Sequence, residues 1–203
     1  MNWGQNQVIT RILAFSDLHG NPLPAIRRGE VDLVLVAGDL VPHGDATWES
    51  QWLRRYFIPW ANRLVPTDIV LVGGNRDHYL SLPRQWPTNV HYLQDSEITL
   101  QGLRIYGMPW IERMEGRRPS MFELAPDELQ GAYKRIPDGI DILIATCHRS
   151  VLKRIWTMIR CDANTSEAPR STMSSNESSR SSSFVGMCMT ATIGHIRLAR
   201  QPW

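Results

Sequence analysis

The sequence of 203 residues predicts a layered α/β fold. Two nearly continuous apolar runs, at residues 31–37 and Asp68–Val72, are typical of strands buried on both faces. Between these runs, large aromatic residues recur at helical spacing over residues 47–64. Residues 92–106 then indicate short antiparallel strands joined by a turn at residues 101–102. Strands that alternate with a helix and lead into antiparallel strands favour stacked layers of helix and sheet.

The remaining elements follow in chain order. Val8–Phe15 is rich in β-branched and aliphatic residues and predicts the first strand. Pro59 is expected to kink or end the helix at 47–64, because proline lacks the backbone N–H that a helix interior needs. Residues 127–135 predict a short helix, and Ile142–Ala145 predicts a further buried strand.

Composition excludes several classes of protein. The net charge of +2 gives no global indication of nucleic-acid or membrane binding. No apolar stretch is long enough to span a bilayer, and residues 1–7 are polar and lack a signal-peptide pattern. The predicted location is therefore cytoplasmic. The three cysteines form no recognisable zinc or redox spacing, and the oligomeric state is left open.

The charge of the chain changes near Thr146. Residues 1–146 carry 14 Lys/Arg against 17 Asp/Glu, whereas residues 147–203 carry 8 against 3. The second part also contains a serine-rich run, 171–183, which has too few apolar residues to offset its ordering entropy. We therefore predict one domain over 1–146, followed by a basic, poorly ordered tail over 147–203.

Three polar clusters follow three of the predicted strands, at the point where each strand ends. Asp17 and His19 follow the first strand, Asp39 follows the second, and Asn75 follows the third. Chemistry in layered α/β proteins gathers at the carboxyl ends of strands, so these side chains are expected to converge. Carboxylate, imidazole and amide oxygen together suit a divalent transition metal. Each cluster alone is common in loops, but all three in order at strand ends indicate a metal site.

These clusters resemble the motifs of the calcineurin-like metallophosphoesterases: D-x-H beginning at Asp17, G-D ending at Asp39, and G-N ending at Asn75. The resemblance implies a four-layer α-β-β-α sandwich of two mixed sheets flanked by helices. It also implies two divalent metal ions, of Mn, Fe, Zn or Ni, at the strand ends. Asp17 and His19 would hold the first ion, Asp39 would bridge both, and Asn75 would hold the second. The implied reaction is hydrolysis of a phosphomonoester or phosphodiester by a hydroxide that two metals activate.

The sequence departs from the family pattern in three places. Arg76 stands where the family has a histidine; arginine can bind phosphate but cannot donate a proton near neutral pH. His78, two positions later, is a candidate proton donor in its place; the alternative is that it packs or lies in solvent. The H-x-P-P motif is absent, and His148 near its expected position is a candidate metal ligand. The G-H-x-H motif is also absent, and its nearest match contains His195.

A shift of reading frame accounts for both missing motifs. We read the possible codons of the chain one nucleotide earlier, so that each new codon takes the last base of one codon and the first two bases of the next. In that frame, the codons for residues 145–149 can encode H-x-P-P, and those for residues 185–192 can encode G-H-V-H-D-G-Y. Degenerate codons can spell many sequences, but here both motifs return in one frame and in family order. We interpret the chain as frameshifted at about 145–147, which leaves the C-terminal part of the sandwich incomplete.

Three functions are compatible with these observations. The first is a metal-dependent phosphoesterase acting on a phosphate-ester substrate, impaired in this chain by its missing ligands. The second is a non-catalytic, truncated domain that binds at most one metal or phosphate, with Arg76 as an anion contact. The third is an interaction module that uses the serine-rich basic tail.

Overall fold

A computed structural model of the chain describes residues 8–81, 85–113, 116, 120–146, 185–188 and 194–200. The first strands and helices along the chain are β1 (Val8–Phe15), β2 (Leu33–Ala37), α1 (Ala46–Trp52), α2 (Ile58–Leu64), β3 (Asp68–Val72) and β4 (Val90–Tyr92). Later elements are β5 (Ser96–Leu100), β6 (Leu103–Met108), β7 (Ile111–Glu112), β8 (Glu123–Leu124), α3 (Pro126–Tyr133), β9 (Ile142–Ala145), β10 (Val185–Cys188) and β11 (Gly194–Arg200). A 3-10 turn spans His78–Ser81.

The strands form two larger sheets and one small one. The first sheet has the order β11-β1-β2-β3-β4, the second has the order β10-β9-β6-β5, and β7 pairs with β8. In the first sheet, β1 to β4 are parallel and β11 is antiparallel to β1. In the second sheet, β10, β9 and β6 are parallel and β5 is antiparallel to β6. Both larger sheets are therefore mixed.

The buried side chains divide into three clusters that define four layers. Strand residues alternate between faces, so one face of each sheet points to the other sheet and the opposite face points to helices. The cluster between the sheets includes Ile12, Leu35, Val70, Ile105 and Ile144. A second cluster packs the outer face of the first sheet against α1 and α2. A third packs the outer face of the second sheet against α3. The predicted α-β-β-α sandwich is confirmed.

The helical segment at 46–64 has an interruption close to where Pro59 predicts one. The segment Leu53–Phe57 is a wide π turn, in which the N–H of Ile58 bonds to the carbonyl of Leu53. Helix α2 then begins, and Pro59 lies in its first turn. Backbone N–H groups in the first turn have no hydrogen-bond partner within the helix, so a proline, which lacks the N–H, is tolerated there. The helix continues through Pro59 rather than ending there, because the wide turn absorbs the irregularity before it.

The antiparallel pair predicted at 92–106 is present as β5 and β6. Gln101 and Gly102 between them both have a positive φ, of 52° and 72°, which suits a two-residue hairpin turn. The short helix predicted at 127–135 is α3. Among the residues that the structure describes, every helix is too short or too polar to cross a bilayer.

Two strands lie within residues 147–203. β10 extends the second sheet beside β9, and β11 pairs along nearly the whole of β1. The other residues of this range lie outside the described part of the chain. The prediction of a poorly ordered tail from residue 147 stays a prediction.

Candidate metal centre

The loops that follow β1, β2 and β3 lie side by side, because these strands are parallel neighbours. Backbone hydrogen bonds fix the first loop on the second. The N–H of Asp17 donates to the backbone carbonyl of Gly38 at 3.1 Å, and the N–H of His19 donates to the backbone carbonyl of Asp39 at 2.9 Å. The N–H of Gly20 donates to the backbone carbonyl of Leu40 at 3.0 Å. Three successive bonds of this kind hold the two loops in one register, so their side chains are carried toward the same point.

Three of the candidate ligands adopt left-handed backbone conformations. Asp17, His19 and Asp39 have φ angles of 54°, 47° and 51°. This region is uncommon for residues other than glycine, although Asp, Asn and His enter it more readily than most. Such conformations typically persist where surrounding contacts impose them, and they concentrate at functional sites. Here the hydrogen bonds between the loops supply those contacts.

The side chains of Asp17, His19 and Asp39 converge. One ligand atom from each lies within 4.8 Å of the other two, and Nε2 of His19 is 3.9 Å from Oδ2 of Asp39. The Nδ1 atom of His19 is buried without a hydrogen-bond partner among the described residues. Burial also raises the pKa of Asp39, because its carboxylate is held away from water. A divalent cation would offset this desolvation, so the donor set fits a metal.

Glycine permits the loop after β3 (the third loop) to approach the loop after β2 closely. A Cβ atom on Gly74 would lie 2.3 Å from the backbone N and 2.3 Å from Oδ1 of Asp39. A Cβ atom on Gly38 would lie 2.2 Å from Oγ1 of Thr146, whose hydroxyl donates to the carbonyls of Ala37 and Gly73. Both glycines are therefore required for the loops after β2 and β3 to touch.

Asn75 and Arg76 come directly after Gly74 in the third loop. The N–H of Arg76 donates to Oδ1 of Asp39 at 3.0 Å, which ties the third loop to the central carboxylate. The side-chain nitrogen of Asn75 donates to Oγ of Ser120 at 3.2 Å. The guanidinium of Arg76 is exposed and has no side-chain hydrogen bond or ion pair within the described ranges. Arg76 therefore places a positive charge beside the cluster, and that charge opposes the rise that burial causes in the pKa of Asp39.

The other histidines lie in different settings. His78 is half-exposed, and its Nδ1 lies 3.3 Å from Oε1 of Glu49, a fully buried carboxylate in α1. His148 lies outside the described residues. His195 stands opposite Leu13 in the β1–β11 ladder, and its side chain is not described. His43, which the sequence reading did not assign to the site, stacks on His19 with ring centroids 4.5 Å apart.

Asp77 organises the third loop, and sequence reasoning missed this role. Its carboxylate is fully buried and accepts the N–H of Val41 at 3.1 Å and that of Gly74 at 2.7 Å. Burial raises the pKa of Asp77 to about 8, with the charge of Asp39 adding to the effect and the backbone donors opposing it. A sequence signal existed, because an acidic residue three positions after Gly74 can close a turn onto its N–H.

The raised pKa of Asp77 predicts how stability depends on pH. Asp77 keeps its proton in the folded protein up to about pH 8, whereas in the unfolded chain it releases the proton near pH 4. The difference in proton affinity stabilises the folded state fully below pH 4, and this contribution is lost as pH rises through about 8. The pKa values of Asp39 and Glu49 are raised too, which gives the same sign. Urea unfolding of the metal-free protein should show the free energy of unfolding falling by about 1 kcal/mol per pH unit between pH 5 and 8. Asp77→Asn should flatten this slope, and an unchanged slope in that variant would contradict the assignment.

Comparison with known proteins gives a consistent result. A family model described as calcineurin-like phosphoesterase matches residues 10–160. The chain is also similar to metallophosphoesterase domain-containing protein 1 from Homo sapiens and from Mus musculus. Each is 38% identical over an alignment of 166 residues, and the alignment covers 66% of this chain and 47% of the relative. The chain spans about half the length of these curated relatives.

Proposed function

This chain belongs to the calcineurin-like phosphoesterase family, and on that premise we propose that Asp17, His19, Asp39 and Asn75 bind two divalent metal ions for phosphoester hydrolysis. The family consists of metal-dependent hydrolases that act on phosphate esters. The observation that carries the proposal is the convergence of Asp17, His19 and Asp39 within 4.8 Å at the ends of two parallel strands. Asn75 adds an amide oxygen from the neighbouring loop.

The two ions would supply Lewis acidity, which polarises a phosphoryl oxygen and lowers the pKa of a water molecule. The chain's own part is to hold negative charge and to position the substrate. Asp39 is the central carboxylate, because it contacts the first loop through its backbone and the third loop through Oδ1. Manganese, iron, zinc and nickel all accept this mixture of nitrogen and oxygen donors.

Arg76 and His78 are the proposed contacts to substrate. Arg76 follows the loop that touches Asp39, and its exposed guanidinium can bind two phosphate oxygens at once. The Nδ1 atom of His78 faces Glu49 at 3.3 Å, and in this proposal Nε2 is the atom that exchanges a proton with the leaving group. In this proposal Arg76 neutralises charge on phosphate and His78 replaces the histidine that the family motif has at position 76.

The proposal includes an impaired site. The family motifs H-x-P-P and G-H-x-H are absent from the chain, so the full set of histidine ligands is not supplied. His148 is a candidate for one of them. The frameshift near 145–147 explains the loss, and sequencing the gene across that junction tests it. Reads that encode Thr-Cys-His-Arg, with no H-x-P-P in the neighbouring frame, would overturn that explanation.

Metal removal provides the direct test of hydrolysis. The purified chain should hydrolyse a chromogenic phosphodiester or phosphomonoester in the presence of Mn²⁺ faster than Mn²⁺ in buffer does. Treatment with EDTA should lower the rate more than about 100-fold, since Lewis-acid stabilisation is worth several kcal/mol, and added Mn²⁺ should restore it. A folded protein that binds Mn²⁺ without turnover would support the alternative of a non-catalytic domain that holds at most one metal or phosphate.

A further inference from the structure

We propose that Ser120 and Glu123 are positioning residues that orient the carboxamide of Asn75 so that its oxygen faces a bound metal. The inference rests on the proposed function, since it concerns one of the proposed ligands. The side chain of Asn75 is hydrogen-bonded to the hydroxyl of Ser120, which lies 45 positions later in the sequence. Ser120 is held in turn by Glu123.

The contacts form a short chain. Nδ2 of Asn75 donates to Oγ of Ser120 at 3.2 Å. The same hydroxyl donates to Oε1 of Glu123 at 2.5 Å, and the backbone N–H of Ser120 donates to Oε2 of Glu123 at 3.2 Å. Both carboxylate oxygens of Glu123 therefore bind Ser120, and the serine hydroxyl is fixed rather than free to rotate.

The chemistry of these groups determines which end of the amide faces Ser120. An ionised carboxylate only accepts hydrogen bonds, so the single hydroxyl proton of Ser120 must go to Glu123. The oxygen of Ser120 then has only lone pairs to offer. Asn75 must present its NH₂ group to them, which leaves its Oδ1 atom for a cation. Without the carboxylate, the hydroxyl could donate to Oδ1 instead, and the amide could turn its nitrogen toward the metal.

Packing fixes the pair against the third loop independently of this hydrogen bond. The buried ring of Phe122, between Ser120 and Glu123, covers Gly73, where a Cβ atom would lie 2.6 Å from the ring. The carbonyl of Phe122 accepts the N–H of Ile111 at 2.9 Å, which joins the segment to β7. Gly73 lies two residues before Asn75, so the segment that carries Ser120 and Glu123 is anchored next to the residue that it orients.

The test is Mn²⁺ affinity, measured by calorimetry on the intact chain. Outer-shell partners of metal ligands typically contribute 10–100-fold to metal affinity. We expect Ser120→Ala and Glu123→Ala each to weaken Mn²⁺ binding by about 10-fold or more. Ser120→Thr, which retains the hydroxyl, should bind nearly as well as the wild type. Ser96→Ala is the control, because that hydroxyl accepts from the backbone of Gln94 on a separate turn.

Double substitutions separate orientation of Asn75 from a general loosening of the loop. If Ser120 acts through Asn75, Ser120→Ala should weaken Mn²⁺ binding in the wild type and have little further effect in an Asn75→Ala background. Equal losses in both backgrounds would overturn the inference, because they would show an effect that does not pass through Asn75. Should Ser120→Ala unfold the protein, the same cycle with Glu123→Ala applies, since that change removes the group that accepts the hydroxyl proton of Ser120.

The outcomes also distinguish this inference from the proposed function. If Asn75→Ala leaves Mn²⁺ affinity unchanged, Asn75 is not a ligand, and both the ligand set and the inference fail. If Asn75→Ala weakens binding while Ser120→Ala and Glu123→Ala do not, the ligand set stands and the positioning role is overturned.

Discussion

Asp39→Asn is expected to remove most of the Mn²⁺ affinity of the chain and any Mn²⁺-dependent hydrolysis, while leaving the fold intact. Asn preserves the shape of the side chain and an oxygen that can accept the N–H of Arg76. It also tolerates the left-handed backbone at this position, where φ is 51°. The variant therefore removes one negative charge from the centre of the cluster and replaces one acceptor oxygen with an NH₂ group. Since outer-shell changes typically cost 10–100-fold, we expect the loss of a central ligand to exceed about 100-fold.

Thermal unfolding with and without Mn²⁺ makes this result independent of catalysis. A bound metal raises the melting temperature of the native state by mass action. Asp39→Asn should melt at or above the wild-type temperature in EDTA, because burial penalises the ionised carboxylate, and should gain little from Mn²⁺. Asp127→Asn, on the exposed side of α3, is the matched control and should respond to Mn²⁺ like the wild type. A normal response from Asp39→Asn would exclude Asp39 as the central ligand.

The strands and the positions of three candidate ligands could be predicted because both depend on local pattern. A strand buried on both faces reads as a continuous apolar run, and the residue after it lies at the end of the sheet. This is why Asp17, His19 and Asp39 could be expected to meet before the structure was known, and their side chains do lie together. The layer order followed from the family resemblance, and the clusters on both faces of the two sheets confirm it.

The contacts that support these residues could not be read in the same way, because they join distant parts of the chain. Glu49 and His78 meet only when α1 packs beside the 3-10 turn, and Ser120 meets Asn75 only when β7 and β8 fold over the third loop. Neither pair has a spacing that predicts contact. The role of Asp77 could be predicted only in part. Its hydrogen bond to the N–H of Gly74 is local in sequence, whereas its hydrogen bond to the N–H of Val41 spans 36 residues.

Edge pairing explains why β10 and β11 were not predicted. The edge of a sheet offers unpaired N–H and C=O groups, and these can pair with another strand through backbone atoms alone. β1 and β9 each take a partner from the region after residue 146 in this way. Because backbone pairing needs little hydrophobic pattern, a segment whose composition resembles a tail can still supply a strand. The frameshift interpretation concerns which side chains that segment carries, and sequencing the gene across the codons for 145–147 tests it.

Gly74→Ala is expected to have the largest effect on stability, about 3 kcal/mol, and to lower the Mn²⁺ response as well. Its Cβ atom would lie 2.3 Å from both N and Oδ1 of Asp39, and inserting a methyl group against fixed backbone typically costs 1–3 kcal/mol or more. Relief requires the third loop to move away from Asp39, which would also displace Asn75. Gly131→Ala is the matched control: a Cβ atom there meets nothing within 4 Å, and alanine in helix α3 should stabilise by about 0.5–1 kcal/mol. Urea unfolding measures both changes, and a Gly74→Ala variant as stable as the wild type would show that the loops after β2 and β3 do not make this contact.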